Sequence, residues 1–435
     1  MTVATDIKED EPNSVVAMMI IGLLFFIFGF VTWLNGSLIP FLKIICDLND
    51  FQALFVTFSF YISYTVMALP MAGLLKITGY RNGIVIGLII MAWGSLLFIP
   101  AALYGNYAMF LVALFVLGTG LTILQTASNP YVVFIGPIES AAMRISIMGV
   151  INKFAGVVVP LVFAALILSD LGDTSKLATS QLSADEISAL SARLILPYMY
   201  MAGALLFLIG LVYFSKLPSI NDNSLPTDPD DTRSSIFEYP QIILGALALF
   251  TYVGVEVIAG DTIGLYGSKL NVSNFASLTS YTMVFMLIGY FIGILTIPKY
   301  VSQTQALMGS AIAGCLCIIG VTLSSESSSG FSELLWGWSA VPTLPDPIFF
   351  IALMGTANAL VWPAIWPIAL NGLGRHTALG SALLIMSISG GAIIPLIFGK
   401  ISSDLGNMQP AYWIGIPCYL FVLFYALKGH KMRSW

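Results

Sequence analysis

Apolar residues run along this chain in long unbroken blocks separated by short polar stretches, without in-out alternation. Twelve blocks are long enough for a helix to cross a bilayer, which takes about 20 residues. They lie near Val15 to Leu42, Phe51 to Leu75, Ile84 to Leu103, Tyr107 to Ile135, Ala141 to Leu168, Leu194 to Phe214, Ile236 to Leu265, Phe275 to Ile297, Ala306 to Leu323, Pro347 to Leu370, Ala378 to Ile401 and Ala411 to Leu427. A transmembrane strand would alternate over about ten residues, so the blocks predict helices. The expected fold class is an all-α membrane protein of twelve transmembrane helices.

A polar stretch rich in Pro, Asp, Asn and Ser, Lys216 to Arg233, divides the blocks six and six. It reads as a solvated linker. The expected organisation is a cytoplasmic tail over 1–14, a six-helix bundle over 15–215, a linker over 216–235, a second bundle over 236–428 and a tail over 429–435. The fifth block of each half carries the same signature. NKFAGVVVPLVF, Asn152 to Phe163, aligns without a gap with SISGGAIIPLIF, Ser387 to Phe398, keeping Gly156/Gly391, Pro160/Pro395, Leu161/Leu396 and Phe163/Phe398. Equivalent placement in both halves is what an internal duplication produces. Two six-helix halves related by a parallel repeat resemble major facilitator transporters, which hold substrate near the bilayer midplane between the halves. The turn GLLKITGYRNG, Gly73 to Gly83, resembles a degenerate copy of that superfamily's basic cytoplasmic loop.

Composition agrees with the pattern: 58% of the chain is apolar and 9% charged, against about 25% charged in a soluble domain. The net charge of −5 sits mostly in loops and tails, and no basic stripe suits nucleic acid. Cys46, Cys315, Cys317 and Cys418 lack metal-site or disulfide spacing, so no metal and no cofactor is expected. The acidic start MTVATDIKEDEPNS is unlike a cleavable signal peptide. With both termini inside, Lys8, Lys76, Arg81, Arg144, Lys216, Arg233, Lys299, Arg375, Lys428, Lys431 and Arg433 are cytoplasmic, against Lys43, Lys176, Arg193, Lys269 and Lys400 outside. The bias predicts that orientation. In the outer loop from Ser169 to Arg193, SADEIS predicts a short surface helix.

Polar groups inside the apolar blocks are the candidate chemistry. Lys153 stands within the duplicated signature, in its first copy alone. An ionisable group at such depth costs about 2.5 to 3.5 kcal/mol on insertion scales, which points to function. Gln125 and Asn129 share a face of the fourth block ahead of Pro130, and their amides suit sugar hydroxyls; interhelical packing is the alternative. Asn35 and Asn152 are candidates for the same cavity. Asn358, Trp362 and Trp366 form an i, i+4, i+8 stripe beside Pro363 and Pro367, with indole faces that suit the CH face of a pyranose. In FTYVGVEVIAGDTIG, Tyr252 and Glu256 share a face; Asp261 is turned away, a coupling candidate for which a solvent-facing helix end is the alternative. Gly254 and Gly260 are expected to loosen this helix. An unpaired ammonium at Lys153 would lose its proton or find a carboxylate, and Glu256 is the best candidate partner. Such a pair suits coupling: protonating the carboxylate frees the ammonium for a sugar hydroxyl. A fixed structural ion pair is the competing reading.

Four runs carry a closer resemblance: FGFVTWLNGSLIPFLK, GLTILQTASNPYVVFIGP, RISIMGVINKFAG and YVGVE. They are similar to the fucose/proton symporter family, and more narrowly to its bacterial glucose, galactose and mannose branch. The resemblance covers most of the chain and implies a secondary sugar symporter of the bacterial inner membrane working by alternating access. Two positions depart from the fucose pattern. Gly36 stands where that pattern has Asp, and Gln125 where it has Glu, so neither its coupling scheme nor its sugar carries over.

The expected function is a monomeric, cation-coupled hexose symporter for glucose or mannose in the lipid bilayer. Lys153, Glu256 and Asp261 are the coupling candidates, with proton favoured over sodium because an ammonium repels a nearby cation. A sodium-coupled symporter and an N-acetylglucosamine transporter are the alternatives. An enzyme is disfavoured by two rim histidines, His376 and His430, and the lack of a nucleophile or phosphate-loop motif. A channel is disfavoured by the repeat with its midway polar groups.

Overall fold

The structure, a computed structural model, describes residues 11–134, 141–168, 183–215, 235–297, 299–373 and 376–435. Most of the expected N-terminal tail, nearly all of the linker, the first part of the loop from Ser169, and Lys8, Lys176, Lys216, Arg233 and Arg375 lie outside the described residues. Twelve spans cross the expected bilayer: Val16–Ile45 (α1), Asp50–Leu75 (α2), Ile77–Tyr104 (α3), Tyr107–Asn129 (α4), Arg144–Ile167 (α5), Asp185–Phe214 (α6), Pro240–Lys269 (α7), Phe275–Thr296 (α8), Gln303–Leu323 (α9), Asp346–Leu370 (α10), Leu379–Leu405 (α11) and Gln409–Lys431 (α12). Their number matches the twelve apolar blocks, and no strand occurs among the described residues.

Local chemistry explains where helices begin and bend. Asn49 accepts from the Gln52 amide while Gln52 Oε1 accepts from the Asn49 amide, a reciprocal cap that starts α2. The predicted basic turn is reduced to one non-helical residue, near the start of α3. Gly79, at φ 76 and ψ 164, is the single non-helical position in a helix over Phe55–Tyr104, and such a φ is open to glycine at little cost. Ser183 and Glu186 cap the predicted surface helix, Ala184–Ala192.

Span α10 is two pieces, Asp346–Asn358 and Val361–Leu370. Pro363 has no N–H to offer the Ala359 carbonyl, so the ladder fails there. By contrast α7 is one helix from Pro240 to Lys269, so Gly254 and Gly260 do not loosen it. They are packing notches: an added Cβ would strike Ile394 at Gly254 and the Trp33 ring at Gly260.

Each half packs its fifth span on its first, α5 on α1 and α11 on α7. The same two spans make the principal contacts between halves, α5 against α8 and α11 against α2. Apolar side chains including Phe207, Leu295 and Leu316 face outward, as a lipid-facing perimeter requires.

Candidate functional site

The halves are drawn together at the face where α1 and α7 end. Asp50, opening α2, receives Lys43 of α1 at 2.7 Å and also Lys269 of α7. Below this, Ser37 Oγ donates to the Ala276 carbonyl and Thr57 Oγ1 donates to Asp261 Oδ2 at 3.1 Å. Gly36 and Gly264 let α1 and α7 approach closely: a Cβ on Gly264 would meet the Gly36 carbonyl oxygen at 3.0 Å.

Deeper between the halves lies a cavity of about 130 Å³. Gln125, Asn129, Asn152 and Lys153 line it from the first half, and Tyr252, Glu256 and Trp362 from the second. Lys153 Nζ is 2.7 Å from Glu256 Oε1, and both residues are more than nine-tenths buried. The predicted partnership is therefore a contact across the halves, α5 to α7. Lys153 Nζ also sits 4.3 Å from the centroid of the Trp33 ring, a cation–π contact that desolvation strengthens. The Trp33 indole Nε1 donates to Asn152 Oδ1 at 3.5 Å, and Asn152 Nδ2 donates to the Phe25 carbonyl at 3.2 Å. Gln125 Nε2 donates to the Tyr64 hydroxyl at 2.9 Å. That leaves the Gln125 Oε1 lone pairs as an acceptor beside the cavity. Trp362 stacks on Trp366 with centroids 5.2 Å apart and presents its ring to the cavity.

Three predicted residues lie elsewhere. Asn358 is fully buried, and its Oδ1 accepts from the Tyr419 hydroxyl of α12 at 2.8 Å. The expected stripe fails because the helix breaks right after Asn358, so helical spacing no longer carries it onto the Trp362 face. Asn35 is buried in α1, off the cavity lining, with its Nδ2 unpartnered among the described residues. Asp261 is not at a solvent-facing helix end: it is 0% exposed, held between α7 and α2 by the bond from Thr57.

The cavity also has aromatic walls that the sequence reading left out, namely Phe25, Phe28, Tyr61, Tyr64 and Tyr290. Aromatic residues are common throughout these spans, so composition alone does not distinguish the lining ones. The i, i+3 pair Tyr61 and Tyr64, polar-tipped and on one face of α2, was the available signal. Chemically the site offers amide and hydroxyl groups of both hydrogen-bonding senses, ring faces, and one ion pair that either half's movement can separate. No group of residues suited to hold a metal ion occurs among the described residues.

Residues 21–394 match the Major Facilitator Superfamily. The chain is 35% identical over 428 residues to the glucose/galactose transporter of Brucella abortus biovar 1 (strain 9-941), covering 97% of this chain and 96% of that one. It is 28% identical over 415 residues to the L-fucose-proton symporter of Escherichia coli (strain K12), covering 93% and 90%. A crystal structure of the E. coli fucose:proton symporter superposes with a TM-score of 0.70 at 25% identity, covering 97% of this chain and 100% of that one. All four matches reach into both six-helix halves, in agreement with the expected architecture and with a transporter rather than an enzyme.

Proposed function

The chain belongs to the Major Facilitator Superfamily, and from that premise we propose that it is a cation-coupled hexose symporter working by alternating access. Glucose and mannose are the favoured sugars; galactose enters because a relative bears its name. The observation that carries the reading is the Lys153–Glu256 pair, one member from each half, set in a cavity with Gln125, Asn129 and Trp362.

The chemistry follows from that placement. A buried ion pair is stable only while both partners remain, and removal of one costs about 3 to 5 kcal/mol. Protonation of Glu256 removes its charge and frees the Lys153 ammonium. A sugar hydroxyl entering between them then accepts from Lys153, while Gln125 and Asn129 bond other hydroxyls and the Trp362 face covers the apolar side of the ring. Sugar and proton thus favour the same separated arrangement, and neither suffices alone. Gln125 does not titrate, which leaves the ion pair as the charge-changing element of the cavity. A sodium ion in the same space would face the Lys153 ammonium, so a proton is the favoured coupling ion. The reading puts the protein in a bacterial inner membrane with both termini in the cytoplasm, the side that the excess of basic residues favours. On this orientation the face joined by Asp50 is the outer one. The expected working unit is a monomer.

Counterflow in proteoliposomes with a sugar panel, with and without sodium at two pH values, tests the proposal. Uphill glucose or mannose uptake driven by a proton gradient without sodium is expected. A strict sodium requirement, or selection of N-acetylglucosamine over every hexose, replaces the ion or the sugar; equilibration with no uphill uptake under any gradient removes the symporter reading.

A further inference from the structure

Asp261 stands outside the cavity, about 7.5 Å along α7 from Glu256 toward the joined face. It is 0% exposed, as is Thr57, whose hydroxyl is bonded to its Oδ2 across the boundary between the halves. The other oxygen, Oδ1, has no hydrogen-bond partner among the described residues. A carboxylate in this position would be a buried charge with one neutral donor, an arrangement that burial strongly disfavours.

Among the described residues, the surrounding elements bring no cation to it. From α2 the titratable neighbour is the Tyr61 phenol, and from α7 itself it is Glu256, already paired with Lys153. On α12 the Tyr412 hydroxyl is engaged with Thr262 at 2.7 Å. Beside Asp261 on α7, Gly260 faces the Trp33 ring of α1 and the Thr279 hydroxyl of α8, both uncharged. Lys43 of α1 and Lys269 of α7 both bind Asp50, and on α11 Lys400 binds Asp404 at the exposed end.

We propose that Asp261 is a proton-binding site that fastens α2 to α7: it is the neutral acid while the joined face is closed, and it releases its proton to water when the two helices part. Opening converts Asp261–COOH to Asp261–COO⁻ plus a hydrated proton, and closing takes one proton back. Asp261 does not line the cavity, and on this proposal its proton leaves by the face it entered and is not carried across with sugar. Closure of this face is thereby linked to the pH on its own side, the outer side in the proposed orientation. The inference rests on alternating access, but it concerns the conformational equilibrium without sugar and is separable from coupling through Glu256.

The test places spin labels at Asn106→Cys and Ser327→Cys, exposed positions of the two halves at the joined face, in full-length protein with Cys46, Cys315, Cys317 and Cys418 replaced by Ser. Distances are measured without sugar between about pH 5 and about pH 9. The short-distance population is expected to fall as pH rises, by up to about tenfold in the closed-to-open ratio per pH unit, the limit for one linked proton. Asp261→Asn, which copies the neutral acid, should hold the short distance at every pH; Glu256→Gln, which breaks the pair with Lys153, should shift the midpoint but keep a pH-dependent distance. Thr57→Val weakens the closed form and should move opening to lower pH; it decides the matter if the asparagine variant does not fold. A pH-independent wild-type distance, a wild-type profile in Asp261→Asn or an unmoved midpoint in Thr57→Val overturns the proposal. A profile abolished by Glu256→Gln instead assigns the proton to the cavity pair and equally overturns it.

Discussion

Gly156 and Gly391 are notches at equivalent places in the two halves. A Cβ on Gly156 would lie 2.7 Å from Trp33, on the first span of its own half, and 2.8 Å from Met283, on the second span of the other. A Cβ on Gly391 would lie 2.8 Å from Val257 and 3.1 Å from Tyr61, again first span of its own half and second of the other. The duplicated signature therefore encodes the two junctions about which the halves meet. Overpacking a filled junction costs about 1 to 3 kcal/mol. Gly156→Leu and Gly391→Leu should each lower the thermal unfolding temperature of the purified protein. A variant that unfolds at the wild-type temperature would show that its notch is not a filled contact.

The ion pair yields a prediction in which two changes do less harm than one. Lys153→Ala or Glu256→Ala leaves an unmatched charge in a buried site and is expected to destabilise by about 3 to 5 kcal/mol. The double replacement removes both charges and should recover much of that loss. Denaturation of the three variants checks this, and additive losses would mean the pair contributes nothing as a pair.

For transport, Lys153→Ala is expected to abolish sugar accumulation against a gradient while exchange of sugar for sugar persists. Exchange needs the cavity and the rocking of the halves; accumulation also needs the charge change. Wild-type accumulation in this variant removes Lys153 from the mechanism.

Much of this arrangement was readable because charge inside an apolar run is conspicuous. Lys153 and Glu256 announced themselves in that way, although they are 103 residues apart and only the fold brings them together. Asn358 misled because helical periodicity was extended across a break, and the proline that causes the break lies five residues later. Asp261 misled for another reason: it lies near the end of its apolar block, where water is the ordinary neighbour, but α2 covers it from the other half. The aromatic walls stayed hidden because rings carry no charge to mark them against a background of apolar side chains.

Cys46 offers a check on both burial and orientation. It stands between α1 and α2 at the joined face, and burial pushes its thiol up to about 11. The thiolate is the reactive form, so alkylation should be slow at neutral pH and rise about tenfold per pH unit up to about pH 9. An exposed thiol, with a pKa of about 8.5, levels off within that interval. With the termini inside, an impermeant maleimide should reach Cys46 from outside intact cells at raised pH. An early plateau contradicts the burial, and labelling from the cytoplasmic side alone contradicts the orientation.

The sugar site itself is tested by the two residues that would contact different parts of a pyranose. Gln125 is held by Tyr64 through its amide nitrogen, so its oxygen is the free acceptor; Gln125→Ala removes one hydrogen bond, about 0.5 to 1.5 kcal/mol, or roughly a twofold to tenfold loss of affinity. The internal bond lost is one that Tyr64 accepts, and water filling the vacated space can donate it instead, which keeps the effect local. Trp362→Ala removes a ring that covers one side of the cavity and should weaken binding by at least as much, since both stacking area and the exclusion of water are lost. Calorimetric titration with glucose and mannose measures both. If neither variant changes affinity for either sugar, binding occurs away from the cavity that Lys153 and Glu256 share, and their ion pair would then have to act on the sugar at a distance.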